Sequence, residues 1–254
     1  WPFVLNRASP QAKGLILWYP CTSRFGRTAF DVGGKFRHAT LTNFGFTNTS
    51  GYVAGPNGTE ALRYDATDDH VLGLASVFSS NVLTVSMWVK FFATTTFQAI
   101  FSCFTGNSDS MEIFVNDTGD RLFGGNFSNQ ALTNNSTITT TGFHHIGLTS
   151  DGSITTVFIN GLANGTTGTT NFSTFSAIFR IGDRTGGGFP FNGVIGDFKL
   201  YSRALSAGEM WNQYDPQTRW NLRYRPGLKV FSVPAAAGDA VPQVWVQYRR
   251  RHAG

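Results

Sequence analysis

Leu83-Thr84-Val85-Ser86-Met87-Trp88-Val89-Lys90 is the stretch of sequence that decides the fold. Its odd-numbered positions from 83 to 89 are all apolar, and in a β-strand alternate side chains point to the same face. The stretch therefore predicts a strand with one face in a hydrophobic core. Strands of this kind pair into antiparallel sheets that bury their apolar face.

Short segments with strand composition recur on both sides of this stretch. Residues 14–20, 179–182 and 194–201 are apolar runs bounded by turn residues. Asp151-Gly152 and Asn160-Gly161 each separate two further runs. Both dipeptides favour two-residue hairpin turns, because Asn, Asp and Gly tolerate positive φ. The sequence therefore predicts a meander of short antiparallel strands and an all-β fold.

One short helix is predicted after the last of these runs. Ser206-Ala207-Gly208-Glu209 has the form of a capping box, in which the serine side chain and the glutamate each bond the other's backbone N–H. Asp215-Pro216 ends the helix within a few turns. The segments around Asn134 and Thr167, rich in Thr, Asn and Gly, are predicted to be loops.

The composition also favours a sandwich. Charged residues make up 14% of the chain, against about 25% in an average globular protein, and phenylalanine suits half-buried pleated surfaces. No apolar run approaches the roughly 20 residues of a membrane span, so no membrane partner is expected. Cys21 and Cys103 are too few for a disulfide framework or a metal cluster. Free buried thiols are favoured over a single bridge, although the sequence leaves both open.

The net charge of +5 is concentrated at the two ends of the chain. Residues 1–38 sum to +5 and residues 219–254 to +6, which leaves −6 for the middle. We divide the chain into an N-terminal arm (1–13), a β-sandwich (14–214) and a basic, aromatic C-terminal arm (215–254). Basic ends on an acidic body are typical of arms that reach an acidic surface, the alternative being solvated tails. The arm residues predicted to contact a partner are Arg219, Arg223, Arg225, Trp245, Tyr248, Arg249, Arg250 and Arg251.

A separate strand is predicted near the end of the sequence. Residues 234–242 read as an extended linker, and residues 244–248 have strand composition. A strand that follows a linker has backbone groups that need a partner. It can fold back on its own sheet or add to the sheet of a neighbour, and the second option predicts self-association.

Five motifs, in order along the chain, carry a family resemblance. They are DVGGKFRHATL (31–41), ALRYDATDDHV (61–71), LTVSMWVK (83–90), GFHHI (142–146) and GVIGDFKLYSRALS (193–206). The sequence resembles the laminin-G-like, concanavalin A-like lectin/glucanase domains over residues 14–214. The resemblance implies a jelly roll of two antiparallel sheets. It does not imply one function, because lectins, glycosidases, adhesion modules and virion proteins share this fold.

The resemblance also implies one structural Ca²⁺. Relatives hold the ion with an aspartate of the early motif and one of the late motif, which correspond here to Asp31 and Asp197. Hard oxygen ligands suit Ca²⁺. However, Lys35 and Phe36 stand where the family has Asn and Gly, and Gly196 replaces the first late aspartate. The alternative is that both aspartates cap turns by local hydrogen bonds.

Catalysis is not expected. Glucanases of this fold resemble one another in a Glu-x-Asp-x-Glu strand, because glycoside hydrolysis needs two carboxyl groups at a set separation. Glu60, Glu112 and Glu209 are isolated from one another. Asp68-Asp69 would point to opposite faces of a strand and is predicted to shape a turn. His144-His145 matches the start of a strand in the family.

The flanks of the sandwich resemble the sandwich proteins encoded in tailed-phage structural modules, over residues 6–15 and 214–220. With basic arms and no catalytic pair, this favours a virion structural protein. The expected role is capsid decoration or cementing, or a place on the tail surface. The arms would bind other virion proteins, and a surface glycan is a further candidate ligand, with no residues assigned to it.

Two alternatives stay open, namely a secreted, lectin-like carbohydrate-binding module and a glycosidase with an unfamiliar acid pair. The C-terminal arm mixes aromatic residues with arginines, as single-strand-binding proteins do. Nucleic acid is nevertheless not expected as a partner, because the body of the chain is acidic.

Overall fold

The computed structural model describes most of the chain. For 57, 224, 229–232 and 244–247 it gives the backbone alone. The described residues are 4–21, 26–74, 80–104, 110–116, 118, 120–126, 128–168, 178–224, 229–232 and 244–247.

Strands dominate the described residues. In chain order they are β1 (Val4–Leu5), β2 (Leu15–Tyr19), β3 (Thr28–Ala29), β4 (Ala39–Thr42), β5 (Gly51–Ala54), β6 (Glu60–Asp65), β7 (His70–Leu74), β8 (Val82–Phe91), β9 (Gln98–Cys103), β10 (Met111–Asn116), β11 (Arg121–Gly125), β12 (Gln130–Leu132), β13 (Phe143–Asp151), β14 (Ile154–Ile159), β15 (Leu162–Gly168), β16 (Ile178–Ile181), β17 (Asn192–Tyr201), β18 (Arg223–Tyr224), β19 (Lys229–Ser232) and β20 (Val244–Gln247). The helices are α1 (Ala207–Tyr214) and short 3-10 turns at Pro10–Ala12, Pro56–Gly58 and Arg219–Leu222.

Two large antiparallel sheets confirm the predicted jelly-roll sandwich. The first sheet has the order β12-β11-β10-β9-β16-β7-β4-β3. The second has the order β15-β14-β13-β8-β17-β6-β5, and β2 also pairs with β17. Two small sheets, β1-β18 and β19-β20, complete the described strands. The predicted lone strand at 244–248 therefore pairs with Lys229–Ser232.

The main core lies between the two sheets, and β8 shows why. Its odd-numbered residues from 83 to 89 are at most 2% exposed and belong to this core, as the alternation predicts. Buried phenylalanines fill much of the space, and truncation of one such ring to alanine costs about 3–5 kcal/mol. Those of the core are Phe44, Phe91, Phe101, Phe179, Phe191 and Phe198.

The opposite face of β8 is also buried, which the alternation does not predict. Thr84 and Ser86 are both 0% exposed, because the chain after β17 covers them. Thr84 Oγ1 donates to the carbonyl of Arg203 at 2.8 Å, and Ser86 Oγ donates to Gln213 Oε1 at 2.7 Å. We call residues 4–13 and 203–224, which lie on this outer face of the second sheet, the terminal layer.

The terminal layer differs from the arms that the sequence predicts. Val4–Leu5 pairs with Arg223–Tyr224, and Leu222 is 1% exposed against Leu5 and other apolar residues. Residues 4–13 and 215–224 therefore belong to the folded body, because their apolar side chains have a sheet face to cover. No helix in the described part of the chain is both long enough and apolar enough to cross a lipid bilayer.

The local signals for the hairpin and the helix are confirmed. Asn160 and Gly161 both have positive φ (52° and 78°) in the turn between β14 and β15, as a type I′ hairpin requires. Ser206 and Glu209 form both hydrogen bonds of the capping box at the start of α1. The loop predicted around Thr167 is wrong, because Leu162–Gly168 pairs along its length with β14.

Cys21 and Cys103 are both buried thiols outside any disulfide, which confirms the favoured state of the two cysteines. Burial raises the pKa of Cys21 to about 12. Since only the thiolate is a strong nucleophile, both groups are protected by the core around them.

We expect neither thiol to react with a thiol-specific reagent at pH 8 while the protein is folded. Both should react promptly in denaturant, where the two sulfurs reach solvent. The count of modified thiols by intact mass, with and without denaturant, measures this. Rapid modification of the native protein would contradict the burial of Cys21.

Candidate functional site

Asp31, one of the two predicted metal ligands, holds its loop against β2. It is 5% exposed. Its Oδ1 accepts hydrogen bonds from the backbone N–H of Trp18 (3.0 Å) and Gly33 (2.7 Å), and its Oδ2 accepts from that of Arg37 (3.1 Å). The side chain therefore does what the turn-capping alternative predicts.

Asp197, the second predicted ligand, lies on a bulge of β17. The pairing of β17 with β8 shifts between Gly196 and Lys199, and Asp197 has a left-handed φ of 54°. A bulge redirects a side chain, and here the carboxylate lies beneath the terminal layer at 8% exposure. Oδ1 accepts from Trp18 Nε1 (2.7 Å) and Arg223 Nη2 (3.0 Å), and Oδ2 accepts from Lys199 Nζ (2.5 Å).

Two cations therefore meet one buried carboxylate. Burial on its own would raise the pKa of Asp197, but the charges of Lys199 and Arg223 outweigh burial and bring the pKa well below its ordinary value. Asp197 is ionised, and the three side chains together carry one net positive charge. We call Lys199, Asp197 and Arg223 the charge triad.

This donor set does not fit the expected calcium ion. Ca²⁺ takes six to eight oxygen ligands, whereas the carboxylate oxygens of Asp31 and Asp197 already accept hydrogen bonds from nitrogen donors. A dication would also have to approach Lys199 and Arg223 at close range. The structure places both predicted ligands in contact with Trp18, but through hydrogen bonds.

The aspartates of the second motif form a turn. Asp65 ends β6, and Asp68 and Asp69 lie between β6 and β7. Carboxylate oxygens of the three residues lie within 4.8 Å of one another. Asp69 Oδ2 accepts from the backbone N–H of Asp65 (3.1 Å), and Asp68 Oδ2 accepts from Asn43 (2.8 Å). Asp68 and Asp69 thus shape the turn, as predicted.

Arginines and tryptophans alternate across the outer face of the second sheet. The guanidinium carbon of Arg223 is 5.5 Å from the ring centre of Trp18 and 5.1 Å from that of Trp220. That of Arg219 is 5.0 Å from Trp220 and 5.7 Å from Trp88. Each such contact contributes about 0.5–2 kcal/mol. We call this row the arginine–tryptophan ladder.

Aromatic rings extend the ladder towards solvent. Trp88 stacks on Tyr214 with ring centres 5.9 Å apart and planes at 26°. Tyr214 in turn meets the edge of Trp211, which is 43% exposed on α1. A groove of about 340 Å³ opens here, lined by Pro56, Trp88, Phe143, Tyr214, Pro216 and Arg219.

Arg219 differs from its neighbour Arg223 in one respect. Arg223 contacts the carboxylate of Asp197. Among the described residues, the guanidinium of Arg219 forms no hydrogen bond or ion pair and lies against the rings of Trp88 and Trp220. Its Nε is buried without a partner in that part of the chain. The groove therefore places a guanidinium beside apolar and aromatic walls.

The predicted arm residues fall into separate groups. Arg223 is not available to a partner surface, since its side chain is 6% exposed and paired with Asp197. Arg219 lines the groove. Trp245 lies in β20, where the backbone alone is described, and Arg225, Tyr248 and Arg249–Arg251 lie outside the described residues.

The three glutamates lie apart in roles that suit the fold. Glu112 is 0% exposed, and its Oε1 accepts from Ser102 Oγ (2.8 Å) and Arg184 Nε (3.2 Å). Burial raises the pKa of Glu112. Glu209 forms the capping box and an ion pair with Arg203 at 2.6 Å.

Sequence reasoning missed Trp18, Trp88, Tyr214 and Lys199 as members of this site. One signal was present: Trp88 lies on the face of β8 that the alternation assigns away from the core. A tryptophan on such a face needs cover or a ligand. The partners that cover it come from residues 211–223, which no local pattern connects to β8.

Comparison with known proteins agrees with this architecture. A family model for the concanavalin A-like lectin/glucanases superfamily matches residues 65–210. No curated protein sequence matches the chain.

Solved structures share the fold at low sequence identity. Domain 4 of AbnA, an extracellular arabinanase from Geobacillus stearothermophilus in complex with arabinotriose, is 21% identical, with a TM-score of 0.56 over 79% of this chain and 98% of that one. The receptor binding domain of botulinum neurotoxin D is 13% identical, with a TM-score of 0.60 over 82% and 54%. The binding domain of botulinum neurotoxin DC in complex with SialylT is 16% identical, with a TM-score of 0.54 over 80% and 52%.

His145, beneath Trp88, gives the site a measurable pH dependence. It is 0% exposed, and both ring nitrogens lack a partner among the described residues. Its pKa is lowered to about 3, chiefly by burial; the charges of Lys199 and Arg219 act in the same direction, and Asp197 opposes them. The unfolded chain therefore takes up a proton near pH 6.5 that the folded chain refuses.

We expect His145→Phe to flatten the pH dependence of stability between pH 6 and pH 4. Above pH 6.5 the histidine is neutral in both the folded and the unfolded chain. As the pH falls below this value only the unfolded chain takes up a proton, so the free energy of unfolding decreases by up to about 1.4 kcal/mol per pH unit. Denaturant unfolding of both proteins at several pH values measures the slopes. Parallel slopes over this window would show that His145 is protonated in the folded state.

Proposed function

The chain belongs to the concanavalin A-like lectin/glucanases superfamily, and from this premise we propose that it is a non-catalytic carbohydrate-binding protein. The observation that carries the proposal is the guanidinium of Arg219 beside an aromatic groove. Ligand sites of this kind combine apolar walls with a few polar groups that fix orientation. Sugars need both, because a pyranose has apolar C–H faces and a rim of hydroxyls.

The charge around the groove favours a saccharide that carries a carboxylate. Arg219 is a planar donor that matches a carboxylate with two parallel hydrogen bonds. The charge triad behind it adds a further net positive charge. Two structural neighbours were solved with saccharides, arabinotriose in one and SialylT in the other, and these supply neutral and sialylated ligand classes for a first panel.

The absence of an acid in the groove supports a binding role. Hydrolysis of a glycosidic bond uses two carboxyl groups on either side of that bond. The described lining of the groove contains no aspartate or glutamate. Glu112 and Glu209 are engaged by Arg184 and Arg203.

We expect Arg219→Ala to weaken binding of an acidic saccharide by about 10- to 100-fold, because a charge-assisted hydrogen bond contributes about 1.5–3 kcal/mol. Calorimetric titration with sialyllactose, a uronic-acid oligosaccharide and arabinotriose measures this. Arg27→Ala is the matched control, since Arg27 is exposed and lies outside the groove lining. Equal affinities for the two variants would rule out this groove as the site.

For the setting of this activity we propose the surface of a virion, with the sandwich as a capsid decoration or tail-surface protein. The flanks resemble tailed-phage structural proteins, and the paired strands β19 and β20 support association with a neighbour. A two-stranded hairpin is marginal in water by itself. Among the described strands, β19 and β20 pair only with each other, and an unpaired edge can accept a strand from a neighbour. A secreted carbohydrate-binding module is the alternative setting.

We expect deletion of residues 225–254 to abolish self-association while the melting temperature stays within a few degrees. The cut follows β18, so the terminal layer remains whole. Light scattering after size-exclusion chromatography, for the full and shortened chains, gives the masses. An unchanged assembly would show that the hairpin does not mediate association.

A further inference from the structure

We infer that Lys199 and Arg223 occupy the position of a metal ion on Asp197, so that charges within the chain, and not calcium, hold the terminal layer on the sheet. Asp31 and Asp197 do not fit a calcium ion, because nitrogen donors already bond their carboxylate oxygens. A buried carboxylate must be matched by charge or by hydrogen bonds. The charge triad supplies both within 3.0 Å of Asp197.

The two cations come from different elements, and this gives them different consequences. Lys199 lies on β17, two residues from Asp197, and is 5% exposed. Arg223 opens β18 in the terminal layer and crosses to the sheet to reach Asp197. Lys199 alone would neutralise the aspartate locally, whereas Arg223 joins two layers.

Arg223 also stands where the two ends of the described body meet. It pairs with Leu5 in the β1–β18 ladder. One residue away, the backbone N–H of Asn6 donates to the carbonyl of Leu222 at 2.9 Å. A contact between Asp197 and Arg223 therefore secures residues 4–6 as well as residues 219–224.

The same contact positions the groove. Arg219 and Arg223 bracket the 3-10 turn Arg219–Leu222, and their guanidinium groups lie 5.0 and 5.1 Å from the ring of Trp220. Release of Arg223 from Asp197 would free this turn and move Arg219 away from Trp88. Arg223 is thus a positioning residue for Arg219, a step that rests on the proposed function.

The experiment compares thermal melting with EDTA and with millimolar CaCl₂, for wild type, Arg223→Ala, Arg223→Lys and the exposed control Arg27→Ala. We expect no calcium response in wild type. We expect Arg223→Ala to melt roughly 10 °C lower than wild type. The variant leaves Asp197 with one cation fewer and removes the contact that holds the terminal layer on the sheet. Arg223→Lys should recover part of that loss, and Arg27→Ala should melt like wild type.

Two further readouts separate a local loss from release of the layer. Limited trypsin digestion should cut Arg223→Ala after Arg219 well before wild type, with the sandwich left intact. Its affinity for the acidic saccharide should fall at least tenfold. If Arg223→Ala is insoluble, Arg223→Lys and Asp197→Asn are measured in its place. Asp197→Asn is expected to melt at a lower temperature than wild type, because it leaves two buried cations without a counter-charge.

A wild-type melting temperature that falls with EDTA and recovers with calcium would overturn the inference. An Arg223→Ala variant that melts and resists trypsin like Arg27→Ala would also overturn it. If wild type binds no saccharide, the proposed function fails, but melting and proteolysis still decide the role of Arg223.

Discussion

The ion contact between Asp197 and Arg223 is the interaction on which the outer half of the molecule depends. The sandwich core needs no help from it, because apolar side chains from both sheets meet there. The outer face of the second sheet is different, since it holds a carboxylate, a lysine and two tryptophans that are each at most 8% exposed. That face is stable only if the terminal layer brings donors and charge to it.

The ladder explains how so much charge can be buried in one place. For an isolated pair of buried ions, the mutual attraction rarely offsets the free energy lost when both ions leave water. Here each guanidinium also lies against indole rings, which attract cations through their faces. Burial keeps His145 neutral beneath Trp88, and the positive charges of Lys199 and Arg219 add to this effect. The charge triad, the tryptophan rings and His145 therefore form one connected cluster. The groove lies at its edge and is lined by Trp88 and Arg219 from that cluster.

Much of the fold follows from local sequence, while the site does not. The alternation over 83–90, the Asn160-Gly161 turn and the Ser206–Glu209 box each specify an element through contacts within a few residues. Arg223 is 26 residues from Asp197, and no local sequence pattern around either residue predicts that the two are in contact. The loop error at Thr167 has a related cause, since pairing with β14 overrides the poor strand propensity of glycine and asparagine.

Because the cations on Asp197 belong to the chain, the stability of the fold does not depend on the concentration of free calcium. A bound metal stabilises a protein in proportion to the logarithm of its free concentration, so a calcium site weakens wherever calcium is scarce. Arg223 is tethered beside Asp197 and its contribution does not depend on the surroundings in that way. Buried charges are also screened little by salt. The cost is that the C-terminal segment must be present and docked, which makes the groove dependent on the chain's own terminal layer.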